Sequence, residues 1–500
     1  MREFLKGIGK HSVVYGLGDM LSKTVGFFLI PLYTRYLETW EYGTLEVMFV
    51  TLNIAAIFAL QGMASALIRA YLFDHTDSEA TQRQVLSTGF FYLAGSCAFI
   101  YGGLIFWAPA ISRLLLRSTE WAGLLRWVFL TGFLTTVSYV SFAYLRARVK
   151  SAAFVSIKLF SAVLNISLNI YLVVVVGLGL AGIIYSNFIA ALAVFIIGLV
   201  VLRHQLVLRI DIEKLRGMLS YGLPLVPTGL ALWILAVSDR YFLQFFSTQG
   251  EVGLYSLGDK FAHIFSVMLV HPFTLVWSAF YFPLARQPHA RETLGRFLNY
   301  FVAVAGFVGI GVAAGSNILI RLAAPPEYWR ARGVVAPLVA SGALFAVILV
   351  LDAGIGITKK TKYLPPIVMS AAAVNMGLNG LLIPRWGMMG AACATLGSNM
   401  VYCTIAYVVN QRLYPVPHDW GRLVRAGGTF ILLLATTYLI DTGSMGRDVA
   451  LAAGLVAAYP ILLFISGFFT EDERRAAVQS AVAAAGSLTR LAAPIRALWG

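Results

Sequence analysis

Long apolar runs constrain this chain more than any other feature. About fourteen stretches of roughly twenty residues or more are mostly apolar, and short, largely basic breaks separate them. A helix needs about 20 such residues to cross the hydrocarbon core of a bilayer. The runs lie roughly at 12–35, 43–70, 85–112, 121–145, 152–176, 179–202, 216–242, 251–280, 296–321, 333–355, 364–384, 388–411, 424–441 and 446–469. The expected fold is therefore an all-α polytopic membrane protein with about 14 transmembrane helices. The run at 424–441 is the shortest. Composition agrees: 59% of the residues are hydrophobic and only 12% are charged, about half the share of a soluble domain. Met1 to Lys10 is short and basic. The apolar run from about Val13 is too long for a signal-peptide core, so it reads as the first span.

The net charge of +15 would suggest nucleic acid in a soluble protein. Here the basic residues gather in alternate loops, and no nucleic-acid partner is expected. Arg69 and Arg83, Arg146 to Lys150, Arg203 to Arg216, Arg286 to Arg296, Lys359 to Lys362 and Arg412 to Arg425 all fall on one side of the array. The positive-inside rule makes that side cytoplasmic and places both chain ends there. The expected location is a membrane, crossed many times. The tail beyond about residue 470 alternates small apolar residues with arginine. It reads either as an amphipathic helix on the inner surface or as an end with no role. Cys97, Cys393 and Cys403 are isolated within apolar runs, with neither metal nor disulfide spacing.

A repeat runs through the chain. Glu41-Tyr42-Gly43 and Glu251-Val252-Gly253 open the second and eighth spans, 210 residues apart. At the same offset Asn165 and Asn169 match Asn375 and Asn379, and Lys150 matches Lys360. Gly179 to Gly182 resembles Gly387 to Gly390, with the offset reduced by two. Six spans per repeat give both halves the same orientation, a parallel repeat of the kind in which one half rocks against the other. The expected domains are residues 1–202 and 203–411, two six-helix bundles, then two further spans over 412–469 and a tail over 470–500.

Charged groups inside such runs normally face protein or an aqueous path. Asp19 and Lys23 share a face of the first span with Tyr15. Lys158 lies near the inner end of the fifth, with Asn165 and Asn169 close to its stripe. Asn375 and Asn379 form the counterpart stripe in the eleventh. Such amides either bond a polar substrate or hold helices together. Glu46 lies early in the second span. Asp259 and Lys260 lie early in the eighth, pointing about 100° apart as neighbours on a helix do. The seventh span carries Pro224 and Pro227 and reaches Asp239-Arg240 near its outer end. The prolines allow bending, and the pair reads as packing or gating. Arg69 ends the second span, and Asp352 lies near the inner end of the tenth. No hydrolase triad, metal cluster, haem ligand set or phosphate-binding glycine loop is present, so no catalytic residue, metal or cofactor is expected.

Several stretches resemble a known family: Ile30 to Leu37, Glu41-Tyr42-Gly43, Tyr221 to Pro227, Ser238 to Tyr241 and Val252 to Ser256. The chain looks like a polysaccharide biosynthesis protein of the oligosaccharide flippase type, within the superfamily of multidrug, oligosaccharidyl-lipid and polysaccharide exporters. The resemblance extends to about residue 469. It implies translocation of an undecaprenyl-pyrophosphate-linked oligosaccharide between leaflets by alternating access, with no covalent chemistry. The implied partners are that lipid-linked glycan and membrane lipids. H+ or Na+, and a polysaccharide polymerase or glycosyltransferases, are further candidates. A cationic cavity is implied, for which Lys23, Lys158, Lys260 and Arg69 are the candidates, with the four asparagines beside them. Asp19, Glu46, Asp239, Arg240 and Asp259 are candidates for ion coupling or gating. A lipid II flippase, a cation-coupled multidrug exporter of the same fold and a non-transporting scaffold remain as alternatives.

Overall fold

The computed structural model describes residues 27–74, 78–439, 444–471, 473 and 475. Asp19 and Lys23 lie outside them. Among the described residues the regular structure is entirely helical. The end of the first span is α1 (Ile30–Tyr36), which begins with Pro31 at a position where a missing N–H costs no helical bond. Then follow α2 (Thr39–Asp74), α3 (Glu79–Phe106), α4 (Ala122–Ala147), α5 (Ser151–Val175), α6 (Gly179–Leu202), α7 (Ile212–Val237), α8 (Gln249–Leu284), α9 (Ala290–Ala323) and α10 (Pro326–Ile357). The run Thr361–Leu413 turns at Gly387, whose φ of 53° leaves the helical region, so it comprises α11 (361–386) and α12 (388–413). A bond between Asn375 and Ser398 closes this hairpin. The last two helices are α13 (Trp420–Thr436) and α14 (Met445–Ile465). At 17 residues, α13 is about 26 Å long, short for the hydrocarbon core.

Eleven of the described helical runs are long and apolar enough to cross a bilayer, and one of them is the α11–α12 pair. Their outward faces carry exposed Phe99, Val163, Val200, Leu275, Leu381 and Ile465. Such a belt is disfavoured against water and suited to lipid.

The 210-residue offset is visible in the backbone. Val149 and Lys359 both adopt the left-handed region, with φ of 55° and 56°. The next residues close the same bond: Lys150 N–H donates to Leu145 O at 2.9 Å, and Lys360 N–H to Ile355 O at 3.1 Å. The same turn thus recurs at the same offset, as a repeated bundle plan requires.

The copies meet where α2 and α8 begin. A Cβ added at Gly43 would lie 1.9 Å from Gln249 O, and one at Gly253 would lie 2.2 Å from Thr39 O. Residues 39 and 249, and 43 and 253, are themselves offset by 210, so the contact is self-complementary about a pseudo-two-fold axis. Only glycine permits this approach. The same end is tied by Tyr328 Oη to Leu37 O at 2.9 Å, Thr34 Oγ1 to Ala323 O at 3.1 Å and Arg117 Nη2 to Phe245 O at 2.8 Å. At the basic end, the halves are joined through α7 and the linker before it. Asp211 caps α7, accepting from the Glu213 and Lys214 N–H groups, while its own N–H donates to Thr88 Oγ1 at 3.0 Å. The Lys214 ammonium beside it holds the Asp211 carboxyl below the usual range.

The proline-bearing span bends as its sequence requires. Leu223–Leu225 tightens to a 3-10 turn around Pro224. The helix breaks again at Ser238 and continues as Asp239–Phe246. In α8, Ser266–Val270 widens to a π segment ahead of Pro272, a relief for the bond that proline cannot make.

Candidate functional site

The charged groups of α2, of the Asp239–Phe246 segment after α7, and of α8 converge beside the glycine contact. Tyr42 and Glu46 are one turn apart on α2 and share a face. Lys260 reaches across from α8, placing Nζ 2.5 Å from Glu46 Oε1 and 2.6 Å from Tyr42 Oη. The Glu46 side chain is 11% exposed and that of Lys260 is 37% exposed. The pair therefore straddles the junction while part of the lysine stays open.

The neighbouring residue points elsewhere, as adjacent helical positions do. Asp259 Oδ2 accepts from Arg240 Nη2 at 2.6 Å. Arg240 Nη1 also donates to Asp239 Oδ1 at 2.8 Å and to Ala236 O at 3.2 Å. Its guanidinium stacks 5.1 Å from the Tyr255 ring centre, and Tyr255 Oη donates to Asp239. Arg240 and Asp239 are buried, whereas the Asp259 side chain is one-third exposed. Across the two clusters, three carboxylates (Glu46, Asp239, Asp259) face two cations (Arg240, Lys260).

The asparagines divide. Asn169 accepts from Tyr33 Oη at 3.1 Å and donates to Asn165. Asn375 accepts from Ser238 Oγ at 3.3 Å and donates to Ser398 Oγ at 3.2 Å, and Asn379 donates to Asn375. Asn169, Asn375 and Asn379 are fully buried. Of the two roles open to them, these three make helix contacts: they join α1 to α5, and Ser238 after α7 to α11 and α12. Asn165 is only partly buried and, with Lys158, lines a cavity of about 420 Å³ in the first half. Lys158 Nζ lies 4.7 Å over the Phe142 ring. Arg69 is half-exposed at the basic end, 3.5 Å from Asp74 and stacked 4.7 Å over Tyr221. It stands apart from the Lys260 cluster. Asp352 accepts from Asn410 at 3.3 Å, a helix contact between α10 and α12.

Tyr42 and Tyr255 complete both clusters, although the sequence marked them only as members of motif stretches and not as site residues. Each lies one turn from a charged site residue (Glu46 and Asp259), and that spacing was the available signal.

The family model for "Polysaccharide biosynthesis protein" matches residues 32–324. The chain belongs to this polysaccharide biosynthesis protein family. Among solved structures, this family member is similar to the lipid II flippase MurJ in an inward closed conformation, with 13% identity, 90% of this chain and 99% of that chain covered, and a TM-score of 0.70. It is also similar to an inward-facing multidrug resistance MATE family transporter of the MOP superfamily, with 14% identity, 84% and 99% covered, and a TM-score of 0.61. A MOP superfamily transporter from Pyrococcus furiosus gives 14% identity, 81% and 95% covered, and 0.57. At these identities the likeness shows the fold, that of MOP-type transporters and flippases. No curated protein matches the sequence.

Proposed function

We propose that this protein carries an undecaprenyl-pyrophosphate-linked oligosaccharide from the inner to the outer leaflet of the bacterial cytoplasmic membrane, by alternating access and without covalent chemistry. The family and the fold support a flippase-type transporter. The observation that carries the substrate class is Lys260, whose side chain is 37% exposed and whose ammonium is held by a carboxylate on the facing helix α2. A pyrophosphate carries more negative charge than the single carboxylate of Glu46, so it can compete with Glu46 for the ammonium. Taking Lys260 from Glu46 removes a link between the halves, so binding loosens the junction that must open. Lys23, Lys158, Arg69 and Asn165 complete the proposed substrate path. With the basic end cytoplasmic, Arg69 meets the headgroup first, and the tied opposite end corresponds to a state closed outward. The glycan would come from glycosyltransferases inside and pass to a polymerase outside.

The excess carboxylate favours a cation as co-ligand. We place H+ or Na+ at the Glu46, Asp239 and Asp259 side, with Asp259 the accessible member and Asp19 a further candidate. This charge balance also favours the second reading, a cation-coupled exporter of another substrate.

Vesicle assays with a defined undecaprenyl-pyrophosphate oligosaccharide test the proposal. Wild type should flip it, and Lys260→Ala should slow flipping tenfold or more, with Lys23→Ala and Lys158→Ala slower as well. Unchanged rates in all three, with normal folding, would overturn the site assignment. Proton- or sodium-driven export of organic cations, without flipping, would favour the second reading.

A further inference from the structure

One difference between the two halves is a cavity. The 420 Å³ cavity of the first half lies between α4, α5 and α6 and is walled by Thr135, Ser138, Tyr139, Ser161, Asn165 and Asn187. Its size is within the usual range of small-molecule sites, about 300–1,000 Å³. At the 210-residue offset, Thr135, Ser138, Tyr139 and Ser161 become Phe345, Ile348, Leu349 and Ala371, and Lys158 becomes Val368. There Ile348, Val368 and Ala371 pack with Ala231, Ala372 and Tyr402 as a closed apolar cluster. The second half shows that this region can be filled with hydrocarbon. Keeping it polar and hollow at membrane depth is costly unless something polar uses it.

The wall says what fits. Thr135 Oγ1 donates to Thr131 O at 2.9 Å and Ser138 Oγ to Leu134 O at 2.7 Å, so both hydroxyls offer lone pairs to the cavity. Asn165 Nδ2 donates one hydrogen to Asn187 Oδ1 at 3.2 Å, and Asn187 Nδ2 one to Ile183 O at 2.9 Å. Each amide nitrogen keeps a second N–H. A wall that both accepts and donates suits a ligand whose groups do the same. Hydroxyl groups qualify. A bare phosphate, which only accepts, would pair with Lys158 and the amide N–H groups of this wall but leave the Thr135 and Ser138 lone pairs unmatched, and a hydrocarbon tail would leave every group unmatched. The face of Phe142, on the same wall, offers the apolar side that a sugar ring's C–H face needs.

We propose that the first-half chamber, and not its second-half counterpart, holds sugar units of the carried glycan during translocation. This rests on the flippase reading and adds where the glycan sits while the pyrophosphate is at Lys260. The test uses the full chain in detergent and two probes: undecaprenyl pyrophosphate bearing a neutral tetrasaccharide, and sugar-free undecaprenyl pyrophosphate. Wild type should bind the first more tightly. The variant Thr135→Phe/Ser138→Ile/Ser161→Ala, which installs the second half's residues, should weaken binding of the first about tenfold and leave the second unchanged. The single variant Thr135→Phe, the milder change, should do the same in part if the triple variant misfolds. The reverse change Ala371→Ser should alter neither affinity. Equal wild-type affinity for both probes, or a preference that survives in a folded chamber variant, would overturn the chamber assignment alone. Binding of neither probe by wild type would overturn the flippase reading, and this inference with it.

Discussion

Lys260 of α8 and Glu46 of α2 form an ion pair across the junction of the two halves, Nζ to Oε1 at 2.5 Å, with the lysine side chain 37% exposed. The pair joins residues 214 positions apart, and neither has a charged counterpart in the repeat: position 50 is Val50 and position 256 is Ser256.

Removing the carboxylate should separate binding from turnover. In Glu46→Gln, Lys260 keeps the Tyr42 hydroxyl but loses its counter-charge. Undecaprenyl pyrophosphate should then bind several-fold more tightly, while flipping slows because the junction no longer re-forms its ion pair on release. Lys260→Ala should do the opposite to affinity, weakening it by about 1.5–3 kcal/mol, the range for charge-assisted hydrogen bonds. Titration of the two variants in detergent checks both directions. Weaker binding in Glu46→Gln would mean that the carboxylate does not compete for the lysine.

The glycine contact predicts a mechanical result. Gly43 and Gly253 leave no room for Cβ atoms, which would meet backbone oxygens at 1.9 and 2.2 Å. Because those atoms are backbone, no side chain can move aside. Gly253→Val should therefore force the halves apart at this end. Spin labels at residues 117 and 245, now joined by a 2.8 Å bond, should report a longer and broader distance distribution than wild type. An unchanged distribution would show that the helices relax without opening.

Much of this architecture is readable from the chain, for physical reasons that differ by feature. Apolar runs must become helices in lipid, and Lys150 matching Lys360 at a fixed offset is already a structural statement, as the paired left-handed turns at Val149 and Lys359 show. Single positions are harder. An asparagine in an apolar helix gives one signal for two outcomes, and Asn165 lines a cavity while Asn169, four residues on, is buried against Tyr33. The Lys260–Glu46 pair depends on how two helices cross, which no periodicity within either helix encodes. The opposite aims of Asp259 and Lys260 were readable, because helical geometry separates neighbours by about 100°.

The buried asparagines should behave as structural groups. Asn375 accepts from Ser238 and Asn379 and donates to Ser398. Asn375→Ala strands those partners in a low-dielectric site, so unfolding in detergent should show a loss of about 1–3 kcal/mol. The relative affinity for sugar-bearing and sugar-free lipid should stay as in wild type. Asn165→Ala should reverse the pattern, with a smaller stability loss and a change in that ratio. A selectivity change in Asn375→Ala without destabilisation would return this residue to the substrate path.

The contacts of Glu473 predict a pH dependence. Burial raises the Glu473 carboxyl, but hydrogen bonds from Tyr300, the Thr470 N–H and Arg422 outweigh it and hold the group at about 2. Arg422 Nη2 lies 2.9 Å from Glu473 Oε2, which ties this segment to α13, while Tyr300 ties it to α9. The unfolded chain has the ordinary glutamate value, about 4.3, so between roughly pH 4.3 and 2 it binds more protons than the folded chain. Stability from this group is therefore complete above about pH 5 and is lost as pH falls toward 2. Glu473→Gln removes the titration and one charged partner of Arg422 together. Its thermal midpoint should lie below wild type at pH 7, and the gap should narrow steadily as both are taken from pH 5 toward pH 2. A gap that stays constant over that interval would show that Glu473 contributes no linked proton, and that Arg422 is held instead by Asp419, 3.5 Å away.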